Sequence, residues 1–531
     1  MKIVIRQLSY PPDIPREYAV EAAVKRCRKA GIKVNGADIC RISVDSRKKN
    51  DIRLVYSVLL ECDSAAEKAL SAAGAEAVSE DKLRIAYGDG KRNGKIAVIG
   101  FGPAGIFASL LLAENGYATV VYDRGKDVDE RAKDVDRFLK TGVLDCDSNV
   151  QFGAGGAGTF SDGKLITRIN DPACGYVLRR LVEFGAPEDI LYSARPHVGT
   201  DVLRTVIRNI TSYLQSRGVS FRFGCRVTDV KEKNGGIILS SISDDVYYDA
   251  AVLAAGHSGR DVFLFLHKNG LLMEKKPFSV GCRIEHLQSD IDLSMYGADH
   301  EKYRDHLPHA EYNLSYKIKE GTKERGVYSF CMCPGGKVIC TSTEPDGIVT
   351  NGMSYRDRNG KNACSAVAVS VFPKDLPSDL FSGVRFQRDI ERAAFDVTGG
   401  FSAPCQTVGS FLRGEENVIS TVVPTYEPSV VMHDLNGVFP PFVSRSLKIG
   451  ISEFEKKIRG FSDSRAVLTA PETRTSSPLR ILRTADGFSE RLTALYPCGE
   501  GAGYAGGITS AAADGINTAI KIMRRFKPDK I

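Results

Sequence analysis

The N-terminus lacks the apolar core of a secretory signal. MKIVIRQLSYPPDIPRE holds no long apolar run and no small-residue cleavage site, so the protein is expected in the cytoplasm. A disulfide framework is missing too. Thirteen cysteines, an odd number, are scattered over 531 residues, which fits reduced thiols. Cys27, Cys40 and Cys62 show no cluster-ligand spacing, so no iron–sulfur centre is expected, nor a metal site elsewhere. No membrane span is read either. Residues 96–113 carry no charge, yet their glycines and Pro103 divide the run into strand, turn and helix. With 43% hydrophobic and 26% charged residues, the composition also excludes a disordered chain.

The length predicts about three domains. Net charge is +7, and residues 1–93 carry +5 of it, with 18 Lys/Arg against 13 Asp/Glu. No aromatic-rich RNA-binding motif accompanies that charge, so a solvated basic surface is the simpler reading. A nucleic-acid or protein partner of this region is the other. Here the periodicity predicts strands at 2–8, 33–43, 52–62 and 82–87 and helices at 17–30 and 65–73, a ferredoxin-like βαββαβ domain over residues 1–90. Arg47, Lys48 and Lys49 mark a charged hairpin turn or a partner-binding tip. Residues 88–94, GDGKRNG, read as a linker.

What is present is concentrated in residues 95–123, KIAVIGFGPAGIFASLLLAENGYATVVYD. An apolar strand runs into Gly100, Gly102 and Gly105 at GxGxxG spacing, a helix follows, and Asp123 closes a second strand 23 residues after Gly100. The first glycine permits the turn, the second admits a pyrophosphate to the backbone, and the third lets helix and strand pack closely. The helix N-terminus offers free N–H groups to phosphate, and the acid accepts ribose hydroxyls. This is a dinucleotide-binding βαβ unit.

Further segments complete it. Residues 149–165, NVQFGAGGAGTFSDGKL, place five glycines in eleven residues. Gly153 to Gly158 fits GxGxxG literally, but without a flanking strand and helix it reads as a loop passing close to a pyrophosphate or a flavin ring. Residues 250–256, AAVLAAG, form a buried strand beside the first. Residues 495–498 form a short strand, 499–507 (GEGAGYAGG) a glycine turn, and 508–525 an amphipathic helix. Residues 278–469 alternate as a separate β-rich domain and contain no second strand–GxGxxG–helix unit, so NAD(P)H, if used, binds only transiently.

The βαβ unit, the AAG strand and the C-terminal glycine turn together resemble the two-dinucleotide-binding-domain flavoproteins. NVQFGAGGAGTFSDGKL, PFSVGCRIEH, SFCMCPGG, ETRTSSPLRI and LYPCGEGAGYAGGITSAAADGI are similar to a family of FAD-dependent dehydrogenases, or NAD(P)/FAD-dependent oxidoreductases, with a small N-terminal α/β domain. The resemblance runs over residues 1–525. It implies an α/β fold: a discontinuous Rossmann-like FAD-binding domain (95–275 and 491–531), an inserted β-rich substrate domain (276–490) and the ferredoxin-like domain. It also implies bound FAD and oxidoreductase activity on a small molecule by hydride transfer at flavin N5; the alternative is an FAD-containing RNA- or protein-binding factor.

By that resemblance Gly100, Gly102, Pro103, Ala104 and Gly105 meet the pyrophosphate, Asp123 and Arg124 the adenosine ribose, and Val227 the adenine. Gly155, Gly158, Thr159, Asp162, Gly163 and Lys164 line the flavin. Gly256, Gly499 and Glu500 complete the site, Glu500 standing where relatives usually present an Asp. The helix begun by Gly506, Gly507 and Ile508 points its positive end at the flavin edge that gains negative charge on reduction. His197 and His257 flank these segments as proton donors, or as core and capping residues. Arg474 positions an anionic substrate, or makes a surface ion pair with Glu472. Cys331 and Cys333 form C-x-C, a metal or redox pair or, more simply, structural thiols.

Overall fold

The computed structural model describes residues 1–79, 82–92, 94–320, 323–415 and 420–529. It is a mixed α/β structure with several sheets. Lys2–Tyr10, Val34–Asp45, Arg53–Cys62 and Ala75–Val78 form a four-stranded antiparallel sheet, the first strand lying between the third and fourth. Ile3, Ile5, Val58 and Leu60 bury one face against Ala19, Ala23 and Cys27 of the helix Glu17–Lys29. The last strand falls earlier than the expected 82–87. The helix Glu67–Ala73 ends at Gly74 (φ +64), and the chain pairs at once with the first strand.

Residues 82–90 instead run extended over another core, where Leu83 and Ile85 pack. The Gly88 N–H donates to the Met523 carbonyl at 2.8 Å, and Gly90 bridges Phe526, so the glycines of GDGKRNG serve close backbone contact; Asn93 lies outside the described residues. The N-terminal sheet is also bonded to the body. The Ile42 N–H donates to the Tyr192 carbonyl at 2.7 Å and the Ala194 N–H to the Ile42 carbonyl at 2.8 Å. The Arg47–Lys49 turn packs on Gly297, where a Cβ would stand 2.8 Å from Lys49 Cβ, and Arg47 pairs with Asp45.

Five parallel strands in the order Leu495–Pro497, Ala250–Leu253, Ile96–Ile99, Thr119–Tyr122, Ser220–Arg222 form the central sheet. The first four of these are largely apolar and buried along their whole length, as a sheet covered on both sides requires. The helices Pro103–Glu114 and Ile508–Arg525 meet backbone to backbone: a side chain at Gly515 would overlap the Ala104 carbonyl. The second sheet has seven strands in the order Ser315–Glu320, Lys323–Cys333, Asn362–Val371, Phe278–Leu287, Val467–Glu472, Ala403–Thr407, Val430–Met432. It carries more helix than its sequence texture suggests, notably Pro441–Glu455, whose Val443, Leu447, Ile451 and Phe454 enter the core. Among the described residues no helix is long and apolar enough to cross a membrane.

A Cβ at Gly105 would overlap the Gly100 carbonyl oxygen, whereas one at Gly506 would meet nothing within 4 Å. Gly105→Ala should therefore cost about 1–3 kcal/mol in urea unfolding, and Gly506→Ala should stay within about 0.5 kcal/mol of the parent. Equal losses would disprove the close packing of turn and helix.

Candidate functional site

Four parallel strands end at one cleft, where the chain leaves them as Gly100, Asp123, Ala254 and Cys498. The cleft encloses about 1470 Å³, its open mouth included. Gly100 (φ +95) can turn there only because it has no side chain: a Cβ would overlap the Ala254 carbonyl. Two helices begin at the cleft, after Gly102 and Gly507, and neither has a side-chain cap. Their first N–H groups are left for a ligand, and both dipoles favour an anion.

The glycine-rich loop closes one wall. Gln151, Phe152, Gly153, Gly156, Ala157, Gly158 and Ser161 line the cleft, and the Gly155 N–H donates to the Phe101 carbonyl at 2.8 Å. Gly156 (φ +64) lies so close to Gly102 that a Cβ would stand 2.8 Å from its Cα. Arg131 holds the loop in shape. Its buried guanidinium donates to the carbonyls of Asn149 (2.8 Å), Val150 (2.8 Å), Gly153 (3.3 Å) and Ala154 (2.7 Å). Burial lowers it to about 9, with the Asp123 charge opposing. Its sequence signal is a charge in a buried helical stripe, Val128, Arg131, Val135 and Phe138.

At the Asp123 end of the cleft the buried carboxylate accepts the Phe101 N–H at 2.8 Å and the Gly125 N–H at 2.9 Å; burial pushes its pKa up against those bonds. Arg124 lies over the Phe152 ring at 4.4 Å and donates to both Asp261 oxygens. Val227 lines the cleft beside Cys225.

At the other end the Gly499 N–H donates at 2.7 Å to Asp514, which Arg483 grips at 2.7 and 3.0 Å, so the final helix pins the turn that precedes it. Glu500 lines the cleft; burial pushes its carboxyl up to about 7, partly offset by Lys276. His257 Nδ1 stands 3.6 Å from Glu500, and its Nε2 is buried with no partner among the described residues. Burial and the charges of Arg474 and Arg260 hold this imidazole neutral, with a pKa lowered to about 3.

The opposite wall comes from the seven-stranded sheet and its flanks: Phe330, Cys331, Asn351, Glu472, Arg474 and Thr475. Arg474 is buried, and its partner is Glu391 (3.0 and 3.2 Å), with Thr343 at 2.7 Å; the expected surface pair with Glu472 does not form, because Arg283 takes Glu472. Glu391 also receives Arg260 at 2.7 and 2.8 Å. These charges hold it near 2 against burial, which pushes the other way.

The structure thus brings Gly100, Gly102, Pro103, Ala104, Asp123, Arg124, Gly158, Val227, Gly256, His257, Arg474, Gly499, Glu500, Gly506, Gly507 and Ile508 to one cleft. Gly105, Gly155, Thr159, Asp162, Gly163, Lys164 and His197 are not among its lining residues. Gly105 lies under the turn, and the rear of the glycine loop points elsewhere. Asp162 is buried and held by Arg358 (2.7 and 3.1 Å) and Ser354; Lys164 pairs with Glu311 at 2.9 Å. Thr159 Oγ1 bonds back to Ala154, and Gly163 packs on Leu203. His197 Nε2 bonds the Arg356 carbonyl at 3.1 Å, and burial lowers its pKa to about 4.

FAD suits this donor set: uncapped helix ends and a glycine cradle for the pyrophosphate, and an orphaned His257 Nε2 on the wall. Residues 277–475 match a family model described as FAD-dependent protein, C-terminal domain-like. An uncharacterized protein of Clostridium beijerinckii is 42% identical over 513 residues, covering 94% of this chain and 95% of its own. Among solved structures, CtdE in complex with FAD and substrate 4 is 9% identical (TM-score 0.34; 81% of this chain, 80% of that one), and halogenase PltM in complex with phloroglucinol and FAD is 11% identical (TM-score 0.35; 81% and 67%). The chain belongs to the family of FAD-dependent proteins that this C-terminal domain marks, and its cofactor is FAD.

Proposed function

We propose that the protein is an FAD-dependent oxidoreductase acting directly on a small molecule held between the flavin and the seven-stranded sheet. One observation carries this reading: a single cleft is lined on one side by the glycine turns and helix ends, and on the other by Phe330, Cys331, Asn351 and Arg474. Bound FAD would supply two-electron chemistry by hydride transfer at flavin N5. In this reading the parallel sheet, split by the insertion, is the FAD-binding domain, residues 276–490 shape the substrate pocket, and the N-terminal sheet is an accessory module.

The remaining work falls to side chains. Arg474 has N–H groups beyond those given to Glu391 and Thr343, and it orients a polar or anionic substrate. Glu500 titrates near neutral pH and stands beside the neutral His257, so this pair handles the proton that accompanies hydride transfer. The helix N-termini stabilise negative charge in the cleft without reorganising.

A screen of metabolites for flavin bleaching tests the reading, and a protein whose FAD no small molecule reduces or reoxidises would refute it. With a reductant in hand, Arg474→Ala should keep its FAD and lose on the order of 100-fold in the rate of flavin reduction; an unchanged rate would remove Arg474 from substrate handling. Glu500 gives a second expectation. Its pKa is raised on folding from 4.5 to about 7, so the stability it contributes is complete below 4.5 and is lost as pH rises through 7. In cofactor-stripped protein, Glu500→Gln should remove on the order of 2–3 kcal/mol of that pH-dependent loss; parallel profiles would show that Glu500 is not buried in this way.

A further inference from the structure

The strand Lys323–Cys333 pairs regularly with Asn362–Val371 as far as Phe330, opposite Ala366, and resumes with Cys333 opposite Cys364. Two residues, Cys331 and Met332, thus face one, Ser365, a one-residue bulge. Within it Cys331 takes φ +46, a conformation that side-chain-bearing residues rarely adopt and that costs on the order of 1–3 kcal/mol. The bulge turns Cys331 into the wall of the cleft. Strain at a position facing a redox cofactor asks for a reason that packing of a small thiol does not give.

Cys333, two residues on, is fully buried. The two thiols are neighbours, and Cys333 Sγ also donates to the Cys331 carbonyl at 3.3 Å. Alternate residues of an extended strand lie about 6.4–6.8 Å apart at Cα, the upper limit of what a disulfide spans. A bulge between them shortens that path. The Cys333 thiol and then burial push Cys331 up, opposed by Arg283 and Lys164, while, against its bond to Cys331, Cys364 and burial push Cys333 up, so both sulfurs are protonated at rest. Arg283 also donates to the Cys331 carbonyl at 3.0 Å and is anchored by Glu472. All the cysteines are free, so the pair stands in its dithiol form.

We propose that Cys331 and Cys333 are a second two-electron centre of this protein, a dithiol–disulfide pair that exchanges electrons with the FAD in the adjoining cleft. Oxidation breaks two S–H bonds and forms one S–S bond. The two electrons and one proton pass to oxidised FAD, and the other proton passes to water; the reverse step returns the dithiol. The inference rests on the flavin redox reading above and adds to it a store for one further electron pair.

The test is an anaerobic dithionite titration of holoprotein first oxidised with diamide. Wild type should take up four electrons per FAD, and Cys331→Ser and Cys333→Ser two each; a wild type that takes up two overturns the proposal. Peptide mapping of the diamide-treated chain reads the same centre without the flavin. A Cys331–Cys333 linkage supports it, while no linkage, or one between Cys333 and Cys364, refutes it. The map decides even in a preparation that has lost FAD, so failure of the flavin reading is told apart from failure of the pair.

Discussion

A buried guanidinium without a contacting carboxylate organises this site. Arg131 spends its donors on four main-chain carbonyls of residues 149–154, in a segment whose glycines give it little shape of its own. Each of those buried acceptors would cost about 1–3 kcal/mol if left unpaired, and the charge itself is tolerable only because carbonyl dipoles surround it and Asp123 lies near. With the loop fixed, Gly156 seats against Gly102, and Phe152 lies under Arg124. The cleft has its second wall as a result.

The same logic recurs on the opposite wall with stronger pairing. Arg260, Arg474, Glu391 and Glu344 form a buried chain of ion pairs linking the strand-end loop at 254–260 to the family-matched region. Removing Glu391 would leave the Arg474 side chain without a carboxylate and Arg260 with Glu344 alone, so Glu391 is the centre of the network. Burial and those arginines keep His257 uncharged beside Glu500, whose carboxyl burial pushes up to about 7.

Local signals in the sequence locate the glycine-turn side of the cleft well. The strand Ile96–Ile99, its glycine turn and the helix Ile508–Arg525 carry their own start signals and stand where the pattern placed them. The strand expected at 82–87 has the right alternation, but Leu83 and Ile85 bury in a distant core instead of pairing in the sheet, and alternation cannot say which core an apolar face will meet. The glycine loop is legible as one that passes close to a ligand, though only its front half faces the cleft; Asp162 and Lys164 turn away to partners such as Arg358 and Glu311, far along the chain. Arg474 was legible as important, and its partner Glu391, 83 residues away, was not. Pairings of that kind are set by tertiary geometry. Arg131 and Glu391 nonetheless left a readable trace, each being a charge within a buried helical stripe.

The central claim is that FAD lies in this cleft with its pyrophosphate at the uncapped helix start after Gly102. Gly102→Asp separates that claim from mere stability. Its Cβ has room, the nearest atom being Gly156 Cα at 3.6 Å, and an aspartate is a good N-cap that stabilises a helix. The same carboxylate would repel a pyrophosphate. FAD released on denaturation should amount to one per chain for wild type and less than about a tenth of that for Gly102→Asp, with the unfolding midpoint of the cofactor-free protein unchanged or raised. A Gly102→Asp protein that still carries one FAD per chain would contradict the account.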